Sequence, residues 1–170
     1  VIIKHANPCG FGIGKTPKEA YERAVSTDPI SYFGGIVGFN QHVDGEIAEA
    51  LVTPFLECII APSYSKESIK ILKKKKNLRV ISVSTEYNEA LTSIRSVSGG
   101  YLYQQKDGQK GELNKLNVVT KRKPTNDEYL AINLGWILVR HVKSNAIVLA
   151  DKMQLLGIGA GQMSRIDSVK

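Results

Sequence analysis

Short apolar segments alternate with helical segments along the first half of the chain, and this alternation constrains the fold more than any other feature. The predicted strands are Val1 to Lys4, 35–40, 57–61 and 78–83. The predicted helices between them begin at Thr16 or cover 44–52 and 65–75. Strands and helices in this order form a layered α/β sheet, with parallel pairing at least in this half of the chain.

Two helix starts carry several agreeing signals. Thr16 is placed as an N-cap, Pro17 takes the first helical position, and Glu19 completes a capping box. Thr125 and Glu128 have the same spacing and open a long second-half helix. These residue types satisfy the free N–H groups of a first helical turn, so both starts are predicted from local chemistry.

The second half of the chain has a less regular pattern. Residues 99–113 alternate apolar and polar side chains around Asp107-Gly108, which predicts a β-hairpin. Further predicted strands are 117–120, 145–150 and the first part of 154–165, which then becomes a Gly-rich loop. Since neither a repeat nor a low-complexity linker interrupts the sequence, we expect one domain or part of one, over residues 1–170.

Composition excludes several classes of protein. The net charge of +7 suggests anionic partners, but much of it lies in Lys73 to Lys76 and 121–123, without the interleaved aromatic residues of a base-stacking surface. We therefore expect no nucleic-acid partner. No apolar run reaches the roughly 18 residues of a membrane helix, so no membrane partner is expected. Cys9 and Cys58 have no framework spacing, which favours the cytoplasm. The first residue is not Met, and we expect a fragment of a longer chain.

The stretch "HANPCGFGIGKTP" looks like a phosphate-binding loop but does not fit one. The P-loop pattern needs a glycine five residues before Gly14, where this chain has Cys9. "GIGAG" at 157–161 lacks the sixth-position glycine of a dinucleotide fingerprint, so its glycines are expected to allow close approach of a ligand or another chain segment. Pro8-Cys9 resembles half of a zinc-deaminase motif, but residue 12 is Gly and no H-x-E occurs. We expect no zinc and no other metal ligands.

Lys4 and His5 stand where the first strand ends, and ligand sites in α/β sheets gather at the carboxyl ends of strands. A histidine there can accept a proton near neutral pH, and a lysine can stabilise an oxyanion or protonate a leaving nitrogen. Spacing alone leaves a structural alternative, in which Lys4 extends along the surface and His5 caps the turn through Asn7.

Four other residues have both a functional and a structural interpretation. Asn145 can orient a base or bond the turn backbone, and Arg165 can bind an anion or lie on the surface. Glu57 can contact a ligand or face water at a strand end, and Gly34 can form a close-approach turn.

A family resemblance favours the functional interpretations. The segments that carry it are "KHANPCG", "AYERAVSTDPISYFGGIVGFN", "IIAPSYS", "ILKKKKNLRV", "VVTKRKPT", "VRHVKSNAIVLA" and "GIGAGQMSR". In this order they resemble AICAR transformylase, the formyltransferase region of the bifunctional purine-biosynthesis enzymes that also carry IMP cyclohydrolase. The likeness covers nearly all 170 residues and only the first half of that region.

The resemblance implies an α/β fold of layered α-β-α type, cytidine-deaminase-like without zinc and with a mixed sheet. It implies transfer of the formyl group of 10-formyltetrahydrofolate to the 5-amino group of AICAR. His5 matches the family's proton acceptor, Lys4 its transition-state stabiliser, and Asn145 a residue that supports AICAR and the histidine.

Binding residues follow from the same matches. Gly34 and Arg165 match AICAR contacts, and Ile166 matches a folate contact. Glu57 stands where the vertebrate members have Asp, which keeps the charge and adds a methylene. The family also implies a homodimer, and by analogy a potassium ion near the turn at 142–145. The alternative function is an inactive fragment that only binds AICAR-like nucleotides.

Overall fold

A computed structural model of the protein describes residues 1–84, 86, 92–106 and 116–170. In chain order, its elements are β1 (Ile2–Lys4), β2 (Asn7–Gly10), α1 (Pro17–Thr27), β3 (Ile36–Gly38), α2 (Gly45–Leu51), β4 (Cys58–Ala61), α3 (Lys66–Leu72), β5 (Arg79–Ser82), β6 (Thr92–Val97), β7 (Gly100–Gln105), α4 (Asn126–Val139), β8 (Ile147–Ala150), β9 (Leu155–Gly159) and α5 (Arg165–Val169). The α/β class with a mixed sheet is confirmed.

The main sheet has the strand order β2-β1-β3-β4-β5. The expected parallel pairing is correct for β3, β4 and β5 and wrong for β1, which runs antiparallel to both of its neighbours. The reason is the β1–β2 hairpin, which reverses the chain before α1 begins. The parallel strands joined by α1 are therefore β2 and β3, and β1 lies between them in the opposite direction.

The main core lies on one face of this sheet. Ile2, Val37 and Ile59 occupy partner positions on β1, β3 and β4, and each is at most 1% exposed. Buried residues of α1, α2 and α3 belong to the same cluster. Full burial of one such aliphatic side chain contributes about 1.5–3 kcal/mol, so this face stabilises the strands that carry the candidate site.

A second, smaller core forms between α4 and the antiparallel β8–β9 pair. Its buried members are Leu134, Leu138 and Leu155, with Phe11 packed against them. The Leu155 N–H also donates to the Phe11 carbonyl oxygen at 3.0 Å. This contact joins the second core to the segment that follows β2.

The N-caps predicted at Thr16 and Thr125 are confirmed, but the capping box predicted at Thr16 is incomplete. The Thr16 hydroxyl accepts from the Glu19 N–H at 3.2 Å, while the Glu19 carboxylate accepts from the Lys15 N–H instead of from Thr16. At α4 the capping box is complete, with bonds in both directions between Thr125 and Glu128.

Several predicted elements differ from the structure. The observed hairpin, β6–β7, turns at 98–99, whereas Asp107-Gly108 lies outside the described residues. Residues 117–120 form no strand, and Val119 is 92% exposed. β-branched residues favour a strand where they pack against a neighbouring strand, and the exposed Val119 has no such packing among the described residues. The third helix ends at Leu72 instead of residue 75, and α5 was not predicted.

Across the ranges that the structure describes, none of the helices is both long enough and apolar enough to cross a membrane.

Candidate active site

The Lys4–His5 pair lies at a tight hairpin turn. Lys4 pairs with Asn7, so His5 and Ala6 are the two turn residues, with φ angles of 51° and 65°. Two-residue hairpin turns with positive φ at both positions usually contain glycine or asparagine. Residues with larger side chains pay about 1–2 kcal/mol for this conformation, and such strain clusters at functional sites. The His5 to Thr16 segment, predicted as a loop, contains β2 because of this turn.

A cavity of about 400 Å³ opens beside the turn. Lys4 and His5 line this cavity. Asp28, which caps the C-terminal end of α1, and Ile158, near the end of β9, line it as well. His5 is exposed and Lys4 is half-buried. Both residues therefore border a cavity that is open to solvent.

Asp28 gives this cavity an acidic group. Burial alone raises the pKa of its carboxyl, but hydrogen bonds from the Ser31 side chain and from the N–H groups of Ser31 and Ile30, with the charge of Lys4, lower it below its ordinary value. The carboxylate is thus ionised at neutral pH. The pKa of the neighbouring Cys9 thiol is raised, mainly by burial and to a lesser extent by the negative charge of Asp28. This thiol therefore stays protonated at neutral pH.

The Gly34 turn is connected to Lys4 directly. Lys4 Nζ donates a 2.7 Å hydrogen bond to the Phe33 carbonyl oxygen, and Gly34 has φ of 71°. This left-handed conformation favours glycine. The structure therefore places the Gly34 turn against Lys4.

Asn145 is connected to the hairpin turn through Asn7. The Asn7 side-chain oxygen accepts a 2.9 Å hydrogen bond from the Lys143 N–H, two residues before Asn145. Asn145 Nδ2 donates to the Met163 carbonyl oxygen at 3.0 Å, and the Asn145 carbonyl accepts from Ser168 Oγ at 2.9 Å. The Asn145 side chain thus bonds backbone, and it does not line the cavity.

Arg165 and Ile166 begin α5, which Ser164 caps. Both are exposed, and Ile166 has 68% of its surface accessible. Neither lines the Lys4–His5 cavity. Their helix contacts the Asn145 turn instead, because Ser168 Oγ of α5 donates a hydrogen bond to the Asn145 carbonyl oxygen.

Glu57 immediately precedes β4, and its N–H donates to the Gly35 carbonyl oxygen at 3.0 Å. Its carboxylate pairs with Arg79 at 2.7 Å on the surface and does not line the cavity. Glu57 therefore lies beside the Gly34 turn with its charge engaged by Arg79.

The hairpin turn, the Gly34 turn and Glu57 share one end of the main sheet, which we call the site end: the end where β1 finishes and β3 and β4 begin. The register there places Lys4 beside Asn7, Ile3 beside Ile36, and Ile36 beside Cys58. The Asn145 turn leads into the separate β8–β9 pair and is connected to this end by the Asn7–Lys143 bond. The Lys4–His5 pair follows the carboxyl end of β1, whereas the parallel strands β3 and β4 begin at this end, because β1 runs antiparallel to β3.

The glycine-rich segment after the turn has a packing role. A Cβ atom at Gly10, Gly12 or Gly14 would overlap the backbone of α1. The Thr16 hydroxyl is engaged as a helix cap. These glycines thus let α1 lie against the segment. The same applies to Gly159, where a Cβ would overlap Ser168 of α5. The described parts of the chain contain no group of three or more His, Cys, Asp or Glu residues placed to hold a metal ion.

Sequence reasoning did not assign Asn7 or Asp28 to the site. Asn7 contacts a residue 136 positions away, and no local pattern reveals such a pair. Asp28 follows the last turn of α1, where an acidic residue is an ordinary loop residue. Its only local signal is Ser31 three residues later, typical of an Asx turn.

Known proteins resemble this chain over its whole length. The profile of a family described as the AICARFT/IMPCHase bienzyme matches residues 1–170. A bifunctional purine biosynthesis protein PurH from Halalkalibacterium halodurans is 48% identical over 171 residues, which cover 100% of this chain and 34% of that protein. A protein of the same name from Aquifex aeolicus is 51% identical over 169 residues, covering 99% of this chain and 33% of that protein.

The chain spans about a third of the length of these curated relatives. The family match nevertheless covers every residue of the chain, and it confirms the resemblance seen in the sequence. This chain belongs to the AICARFT/IMPCHase bienzyme family.

Proposed function

We propose that residues 1–170 supply the proton-transfer centre for formyl transfer from 10-formyltetrahydrofolate to the 5-amino group of AICAR, giving the formylated nucleotide. One observation carries this proposal: Lys4 and His5 line the same open cavity, beside the Gly34 turn. The relatives, which are named as bifunctional purine biosynthesis proteins, support the pathway.

His5 is the proton acceptor in this proposal. The AICAR amine is conjugated with an imidazole ring that bears a carboxamide, so it is a weak nucleophile. As its nitrogen attacks the formyl carbon, it must lose a proton, and the exposed imidazole at the cavity is the group that accepts it.

Lys4 stabilises the negative charge that develops in the same step. A C–N bond forms to the amine, negative charge develops on the formyl oxygen, and the C–N10 bond then breaks while N10 takes up a proton. An ammonium beside the reacting carbon stabilises the oxyanion and can protonate the leaving nitrogen. Its 2.7 Å bond to the Phe33 carbonyl holds the ammonium in one position without neutralising its charge.

The remaining assignments extend the same proposal. Asn145 supports the nucleotide and His5, and Gly34, Glu57 and Arg165 contact AICAR. Ile166 is the folate contact, and its 68% exposed side chain is accessible to a pterin or benzoyl ring. A homodimer, a cytoplasmic location and a potassium ion near 142–145 belong to the proposal on family grounds. Zinc is not part of it.

The test compares His5→Ala with His42→Ala in the protein expressed from its complete gene. His42 is also exposed and bonds Ser63 Oγ at 2.8 Å, outside the cavity. We expect His5→Ala to lose formyl transfer by a factor of at least roughly 100, as for removal of a general base. AICAR affinity by calorimetry and the circular dichroism spectrum should stay close to those of the wild type, and His42→Ala should remain active.

Normal turnover by His5→Ala would refute the assigned role. The isolated 170-residue chain gives a second comparison in the same assay. If it binds AICAR without turnover, residues 1–170 act alone as a nucleotide-binding module and need other parts of the protein for catalysis.

A further inference from the structure

The peptide group between Phe33 and Gly34 is held at both ends. Its carbonyl oxygen accepts from Lys4 Nζ at 2.7 Å, and its N–H donates to the Phe55 carbonyl oxygen at 2.8 Å. The hydrogen bonds thus form a chain from the ammonium, through one peptide group, to Phe55. Bonds in such a chain polarise one another, and the bond from a charged donor is the strongest.

The Phe55 ring supports the same peptide group from the side. Its centroid lies 5.5 Å from that of the Phe33 ring, at an interplanar angle of 46°. This is within the range in which aromatic rings attract one another. A Cβ atom on Gly34 would lie 3.6 Å from two atoms of the Phe55 ring, so the ring covers Gly34 as well.

This ring pair is not part of the hydrophobic core. Phe33 is 57% exposed and Phe55 is 44% exposed, and neither belongs to a described core cluster. The contacts of the Phe55 ring with Phe33 and Gly34 therefore do something other than fill the interior. The ring lies against the peptide group whose carbonyl receives Lys4, and this position indicates its role.

We propose that Phe55 is a positioning residue, whose ring fixes the Phe33–Gly34 peptide and through it the Lys4 ammonium. The inference rests on the proposed function, in which Lys4 stabilises the transition state. Phe55 does not line the Lys4–His5 cavity. It acts by keeping the Phe33 carbonyl oriented toward Lys4 while Gly34 remains in its left-handed conformation.

The main-chain hydrogen bonds around Gly34 do not involve the Phe55 side chain. Phe55 accepts the Gly34 N–H through its main-chain carbonyl, and the adjacent bond from the Glu57 N–H to the Gly35 carbonyl is also between main-chain atoms. A substitution at position 55 keeps both bonds and removes only the ring. Phe55→Ala therefore isolates the contribution of the ring to the position of the peptide.

The experiment measures formyl transfer by the protein expressed from its complete gene, with AICAR and 10-formyltetrahydrofolate varied separately. For Phe55→Ala we expect kcat to fall roughly tenfold to a hundredfold, the range for a small displacement of a catalytic group, with the KM for AICAR within about twofold. Phe55→Tyr keeps the ring and should restore kcat. Phe55→Leu fills the space without an aromatic ring and replaces Phe55→Ala if that variant folds poorly. Its kcat should remain below that of Phe55→Tyr.

A double-mutant cycle with Lys4→Ala tests the route of the effect. If Phe55 acts through Lys4, adding Phe55→Ala to Lys4→Ala causes no further loss of the residual kcat, because coupled residues are not additive. Tyr129→Ala removes an aromatic ring that is 39% exposed, on α4, and is the matched control.

The outcomes distinguish this inference from the function on which it rests. A wild-type protein without formyl transfer overturns both. An active wild type with wild-type kcat in Phe55→Ala or Phe55→Leu overturns the positioning role alone. So does a full additional loss from Phe55→Ala in the Lys4→Ala background.

Discussion

The side-chain oxygen of Asn7 accepts a 2.9 Å hydrogen bond from the backbone N–H of Lys143, 136 positions further along the chain. Asn7 follows the turn that carries His5, and Lys143 precedes Asn145 by two residues. This bond joins the β1–β2 hairpin to the segment leading into β8. It is the described contact that connects the proposed catalytic pair with the Asn145 turn most directly.

Replacing Asn7 should therefore disturb both halves of the site. For Asn7→Ala we expect a loss of about 1 kcal/mol in the free energy of unfolding, the usual contribution of one hydrogen bond. Formyl transfer should fall by a factor on the order of ten, because the two segments can move apart. Urea unfolding and steady-state kinetics measure the two effects. Asn7→Asp keeps the acceptor oxygen and should lie closer to the wild type, and equal losses in both variants would contradict this explanation.

The packing of α1 against the glycine segment gives a prediction about stability. A Cβ at Gly12 would overlap the backbone of Ala20 and the side chain of Arg23. Gly12→Ala should lower the free energy of unfolding by about 1–3 kcal/mol, as overpacked sites do. Gly100→Ala is the matched control, because a Cβ there meets nothing within 4 Å. If urea titration finds the two variants equally stable, the glycines have another purpose.

Gly135 should behave in the opposite way. It lies within α4, and a Cβ there would be 3.6 Å from a Val148 methyl group, an ordinary contact distance. Since glycine in a helix interior is about 1 kcal/mol less favourable than alanine, Gly135→Ala should raise the free energy of unfolding by roughly that amount. A lower midpoint in thermal or urea unfolding would show that the helix needs the space.

The Arg122–Glu128 ion pair predicts a dependence on pH. The Arg122 guanidinium donates to both carboxylate oxygens at 2.8 Å, and with the Thr125 N–H it lowers the pKa of Glu128 from 4.5 to about 2. A carboxyl whose pKa is lower in the folded state stabilises that state above its unfolded pKa. This contribution is present at neutral pH and is lost as the pH falls from about 4.5 toward 2.

Glu128→Gln removes that contribution. The stability difference between the wild type and Glu128→Gln should be greatest at neutral pH and should shrink below about pH 4.5, where the unfolded-state carboxyl becomes protonated. Urea unfolding between roughly pH 3 and 7 measures it. Glu22→Gln changes an exposed carboxylate of α1 and is the control. A difference that stays constant across this range would refute the link to Glu128 ionisation.

Features that depend on neighbouring residues were predictable from the sequence. Thr16 and Thr125 cap helices because their hydroxyls reach an N–H three residues away, which is a local matter. The direction of β1 was not predictable in this way. It depends on a hairpin whose turn residues, His5 and Ala6, lack the glycine or asparagine that signals such turns.

The same distinction applies to the candidate site. The adjacent Lys4–His5 pair at the end of a predicted strand marks a candidate site locally, and the family resemblance was needed to favour its functional interpretation. The link from Asn7 to Lys143, and the support of Gly34 by Phe55, join distant segments and require the fold. Within α5, Arg165–Val169 has too few residues for helical periodicity to be recognised.

The glycines at 10, 12 and 14 bear on how such sequences are classified. In a nearly extended segment, every second residue points to the same side, so glycines spaced by two produce a smooth strip along which a helix can be laid. A nucleotide loop instead curls its amide groups around one centre, which needs a different spacing. The number of glycines alone does not distinguish a segment that packs against a helix from a loop that binds phosphate. The spacing between the glycines does distinguish them.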